Sequence, residues 1–203
     1  MKRGSTAGPV GTGRTGSTGS TGSTGGTGST DSGGPEAFRI VGRVLVEPPL
    51  RTEEFEYLAA FTESRRWCRP DGPYAVPGNP LAECLDPGLD LTRYVEPAPG
   101  QPGLWCPWRL SDGGRALVPV FEPALGEGSP PEEAASWLAY LCDHFLRADG
   151  VAGQNPHDRA RWFDGFGFDH VLDGAAVVCC ERSGRLTLIE MSANSVSVRP
   201  LAS

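Results

Sequence analysis

Lysine is almost missing from this chain. Lys2 is the only one among 18 basic residues; the others are arginine. Lysine codons are A-rich, so the scarcity points to a GC-rich coding sequence and carries no mechanism. Excess positive charge is missing too. The formal net charge is −7, and an acidic chain repels phosphate backbones unless its basic residues cluster. Nucleic acid is therefore not an expected partner. No apolar run approaches the roughly 20 residues a membrane span needs. The opening MKRGSTAGPVGTG is basic but has no apolar stretch behind it, so no signal peptide is legible. The expected compartment is the cytoplasm, with no membrane partner.

Further absences narrow the chemistry. The six cysteines, Cys68, Cys84, Cys106, Cys142, Cys179 and Cys180, contain no CxxC pair. A disulfide framework is not indicated, and reduced thiols are expected. There is no GxxxxGK[ST] phosphate loop, no GxSxG elbow and no kinase signature set. HExxH and HxxxH are absent, so no metal or other cofactor is indicated.

What is present divides near Phe38. Residues 1–36 are dominated by Gly, Ser and Thr, with GSTGSTGSTGGTGSTDSGG at the centre. Such a segment has almost no apolar side chains to offset its ordering entropy and is expected to be a disordered tail. Residues 37–203 are expected to form a single domain.

FRIVGRVLV (38–46) reads as a strand with Phe38, Ile40, Val44 and Val46 on one face and a weak point at Gly42. Thr52 offers an N-cap, with Glu53 and Glu54 in the first turn. Phe55, Leu58, Ala59 and Thr62 form a helical stripe widened by Phe61, and Arg65 and Arg66 fall where a last turn favours cations. From Pro70 to Gly103 turn signals dominate, with one short element around Leu91–Val95. LWCPWRL (104–110) and RALVPVF (115–121) flank SDGG and predict a hairpin; Pro107 and Pro119 suit edges or bulges. Ser129-Pro130-Pro131-Glu132 combines a capping box with proline at the first helical position. That second helix is expected to run to about Arg147, with Trp137, Leu138, Leu141 and Phe145 facing the core. Residues 151–168 read as irregular. AAVVCCE (175–181), RLTLIEM (185–191) and SVSVR (195–199) read as a strand meander joined by tight turns. The order β-α-β-β-α-β-β-β predicts an α+β fold, its largely antiparallel sheet covered on one face by both helices.

The succession of a strand, PPL, EEFEYLAAFTESRRW, PGLWCPW, WLAYLCDHFL and a terminal meander resembles a family of small proteins in actinobacteria and their phages. The likeness covers roughly residues 38–199. No activity is attached to that family, so the resemblance implies lineage and compartment and assigns no catalytic residue.

Four clusters are candidate sites. Arg65, Arg66, Trp67, Arg69 and Tyr74 could hold an anionic or planar ligand through bidentate hydrogen bonds and cation–π contact. Trp105, Cys106, Trp108 and Arg109 could supply a protein-binding hot spot, or the tryptophans could simply pack the core. Cys142 could act as a thiolate nucleophile if folding brought it to His170 or His157; His144 is too close along a helix to face it. His144, His157 and His170 with Asp158 and Asp169 could converge on a metal, against the plainer reading of solvated surface histidines.

Taken together, these features predict a non-enzymatic interaction domain binding a protein or small anionic ligand. A Cys/His-dependent hydrolase is the alternative. The site expected from residue density comprises Arg65, Arg66, Trp67, Arg69, Tyr74, Trp105, Trp108 and Arg109.

Overall fold

A computed structural model describes residues 36–78, 95–120 and 128–201. The chain divides between residues 33 and 34, and everything described belongs to the second unit. The expected tail (all but Glu36), Cys84, Phe121 and residues 91–94 of the expected short element lie outside the described residues.

The fold is α+β. Strand β1 is Phe38–Glu47 and helix α1 is Thr52–Glu63. Strands β2, Trp108–Leu110, and β3, Ala116–Pro119, form the expected hairpin. Helix α2 spans Pro131–Leu141 and continues as a π-helical turn over Cys142–Leu146. Two short helices follow, α3 (Val151–Gln154) and α4 (Pro156–Trp162). Strands β4 (Val171–Cys180), β5 (Leu186–Ser192) and β6 (Ser195–Pro200) complete it. The six strands form one antiparallel sheet, ordered β2-β3-β1-β4-β5-β6.

β1 and β4 are the spine, in register from Phe38 opposite Cys180 to Glu47 opposite Val171. Alternation assigns their faces. Val44, Val46, Leu172, Ala176 and Val178 point into the core, where Phe61 of α1 and Trp137, Leu138 and Leu141 of α2 cover them. Gly42 and Gly174 have φ of +139° and +149°. A Cβ at Gly42 would collide with the Ala175 carbonyl oxygen, and one at Gly174 with that of Arg43. Only glycine admits both the dihedral and the close approach of the two strands.

Local chemistry explains where the elements depart from expectation. α1 is capped at Arg51, not Thr52: Arg51 is extended, and Glu54 Oε2 accepts its backbone N–H at 2.8 Å. The helix ends at Glu63, because Ser64 turns out at ψ 150°. Arg65 and Arg66 therefore lie beyond the last turn. α2 starts at Pro131 with Pro130 as its cap, so the expected Ser129 capping box does not form. Pro131 disfavours helical dihedrals at the residue before it, and Pro130 has no side-chain acceptor. The 151–162 stretch, expected to be irregular, forms two helices. Asn155 caps the second by accepting the His157 backbone N–H, with Pro156 at its first position. β4 begins four residues before the expected 175. Ala193 and Asn194 both take positive φ, giving the β5–β6 hairpin a turn of the primed type. The five described cysteines are free thiols.

Candidate functional site

The expected Arg/Trp patch is dispersed by burial. Arg66 is 0% exposed. Its guanidinium lies 3.8 Å over the Phe61 ring. It donates to Ser64 Oγ, the Ala75 and Pro73 carbonyls and Gln101 Oε1. Its backbone N–H donates to Leu104 O, and its carbonyl accepts from Ala98 N. The residue therefore ties together segments 73–75 and 98–104.

Tyr74 is buried as well. Its carbonyl accepts from the Tyr57 hydroxyl, and its own hydroxyl lies 2.8 Å from His144 Nδ1. Burial holds His144 below its ordinary pKa, and the Tyr74 hydroxyl and Nδ1 share one hydrogen bond whose direction follows the imidazole tautomer. Trp108 is fully buried and donates its indole N–H to the Ala134 carbonyl. Arg65, Trp67, Arg69 and Arg109 are half-buried, and Arg109 donates to the Thr62 carbonyl. Arg69 lies over the Trp67 ring and donates to Arg65 O. Trp105 is exposed. Arg66, Tyr74 and Trp108 are thus withdrawn from any surface ligand, and the eight residues form no common exposed face.

The thiol and histidine candidates are also held apart. Cys142 is fully buried and donates to the Asn194 carbonyl at 3.8 Å. Burial pushes its thiol up to about 11, opposite to what a nucleophile needs. His144 faces Tyr74, and His157 is exposed. His170 is fully buried, not surface-solvated. Its Nδ1 donates to the Pro48 carbonyl and its Nε2 lies 3.1 Å from Glu54 Oε2. Among the described residues, no imidazole reaches Cys142.

Glu54, Asp169 and His170 are the one group among the described residues compact enough to hold a metal. The donor chemistry argues against it. Both His170 nitrogens are engaged. Glu54 Oε1 accepts from Gly167 N, and Oε2 accepts from Arg51 N and His170. Asp169 pairs with Arg51. A cation would have to displace these bonds.

A depression of about 540 Å³ opens between the start of α2 and the sheet, lined by Phe38, Pro131, Cys180, Arg185, Glu36 and Glu132 among others. Its lining charges are of both signs and select no ligand class.

The feature that stands out is the other face of the sheet. Arg39, Val41, Arg43, Leu45 and Glu47 alternate outward on β1, and Val171, Asp173, Ala175, Val177 and Cys179 do so on β4. Register places Val41, Val177 and Leu188 in one row across β1, β4 and β5, with Arg199 of β6 beyond. Val41 is 63% exposed; Leu45, Val171 and Leu186 are exposed on the same face. Arg43, Ala175 and Glu190 form the adjacent row. The signal was present in the sequence: both faces of FRIVGRVLVE and VLDGAAVVCC carry apolar residues, as strands covered on both sides do.

Comparisons with protein-family models, curated proteins and solved structures return no match to this chain.

Proposed function

We propose that residues 36–201 are a non-enzymatic protein-interaction module acting through this outer sheet face. One observation carries the reading: an apolar row, Val41–Val177–Leu188, crosses three central strands with no covering element among the described residues, Leu186 extends it in the next row, and Leu45 and Val171 lie on the same face beyond the Arg43–Ala175–Glu190 row. Exposed apolar patches of this kind, rimmed by charge, mark sites of protein association. Arg39, Arg43, Glu47, Asp173, Glu190 and Arg199 supply the rim. The fitting partner is a protein surface with an apolar centre and charges of both signs around it. The actinobacterial lineage belongs to the same proposal and rests on the sequence motifs alone.

The test is site-specific photo-crosslinking in living cells. A benzophenone amino acid at Val41 should give a discrete cross-linked protein that disappears when Val177→Asp is added. The same group at His157, an exposed residue of α4, should not. Equal yields from the two sites, or none from Val41, would overturn the reading.

A further inference from the structure

We infer that the partner is a second copy of this chain, packed face to face through β1, β4 and β5. This rests on the reading of the outer face as an interaction surface. Charge complementarity within the register singles out this partner.

Two sheets meeting by a two-fold axis can be related in two simple ways, with the axis along the strands or across them. An axis along β4 keeps each row and exchanges β1 with β5. Val177 then meets its own copy, and Val41 meets the partner's Leu188. In the adjacent row Arg43 meets the partner's Glu190, twice by symmetry. An axis across the strands reverses the rows and keeps β1 on β1. Arginine then meets arginine: Arg39 on Arg43 when Val177 is the centre, or Arg43 on itself when Ala175 is. The observed pattern favours the first arrangement and penalises the second.

Two details agree with it, and one like-charge approach is relieved by geometry. Neither the Arg43 nor the Glu190 side chain makes a hydrogen bond or ion pair with the described residues, so both are available. Ala175 lies between them and leaves room for two long side chains to span the roughly 10 Å between packed sheets. Asp173, four residues from Val177 on β4, would approach its own copy. The roughly 30° crossing of aligned sheets swings it off the axis, and it is already held by the Ala193 N–H at 2.8 Å.

Sedimentation equilibrium of the full chain over a wide concentration range tests this. The expected mass rises towards twice 21.5 kDa. Arg43→Glu and Glu190→Arg should each weaken dimerisation by at least about tenfold, since each sets like charges face to face. The double swap, Arg43→Glu with Glu190→Arg, should restore it, because both pairs re-form with reversed sign. Both side chains are exposed, and unchanged thermal melts will confirm that the variants fold. A monomer at every concentration, a dimer indifferent to both single swaps, or no recovery in the double swap would overturn the inference. A monomer whose cross-links from position 41 carry a different protein removes self-association and leaves the interaction surface standing.

Discussion

Glu54 and His170 form a buried ion pair that joins the first turn of α1 to the start of β4. Their side chains are each 1% exposed, with Oε2 and Nε2 3.1 Å apart. The protonation states follow from the neighbours. The Pro48 carbonyl can only accept, so Nδ1 carries a proton. Glu54 receives backbone N–H bonds on both oxygens and is ionised. Nε2 must then donate, and the imidazole is cationic. Burial alone would raise Glu54, but the bonds from His170, Arg51 and Gly167 hold it at about 2. Burial alone would lower His170, but its bonds to Glu54 and Pro48 raise it.

The pair predicts a pH window. Glu54 is depressed on folding, so its contribution is complete above its unfolded value near 4.5 and is lost as pH falls towards 2. His170 is raised, so its contribution is complete below its unfolded value near 6.5 and is lost as pH rises through the folded value. The combined contribution peaks between those two unfolded values. Melting temperature against pH should show this dome, and Glu54→Gln should flatten it while costing about 3 kcal/mol. An unchanged profile in the variant would show that other groups govern the pH dependence.

Arg66 is a structural residue. Arg66→Lys cannot reproduce a planar fork reaching Ser64, Pro73, Ala75 and Gln101. A loss of about 2 kcal/mol or more is expected, since buried acceptors are left unpaired. Hydrogen exchange should rise first at the Arg66 and Ala98 amides, which this knot protects. Uniform acceleration across the sheet would argue for a global effect instead.

Gly42→Ala and Gly174→Ala should each destabilise by more than about 1 kcal/mol, because each adds a Cβ where both dihedral and space forbid it. Urea unfolding measures this. Gly184→Ala is the control for dihedral strain alone: its φ is +67°, yet a Cβ there meets nothing within 4 Å. It should cost less than either.

Val41→Asp and Val44→Asp separate the two faces of β1. Val41 is exposed, so its change should stay within about 0.5 kcal/mol in the monomer. Val44 is buried among Leu58, Leu117 and Leu172, and a carboxylate there should prevent folding. Circular dichroism melts at low concentration distinguish them. Equal damage from both would mean the outer face is packed against something in the monomer.

Much of the architecture was legible because it depends on short-range periodicity. Alternation in 38–46 placed Phe38, Ile40, Val44 and Val46 on one face. Stripes placed Trp137, Leu138, Leu141 and Phe145 inward, and the meander followed from tight turns. The errors at Ser129 and Thr52 are one-residue shifts set by backbone chemistry: Pro131 bars Pro130 from the helix, and Glu54 reaches back to Arg51. Asn155-Pro156 was a helix start that could have been read.

The site was another matter. Nothing local to Arg66 says that its guanidinium will be buried over Phe61 and satisfied by the Pro73 and Ala75 carbonyls and the Gln101 side chain. Nothing local to Glu54 announces His170, 116 residues away. Residue type alone grouped arginines and tryptophans that folding then divided between core and surface. The apolar outer residues of β1 and β4 were in plain view, but whether a second layer covers them depends on which side the helices take. The sequence by itself determined the elements and their order, because those follow from neighbouring side chains and turn chemistry. Tertiary structure decided which polar groups are buried and which sheet face stays open, because both depend on contacts between residues far apart in the chain.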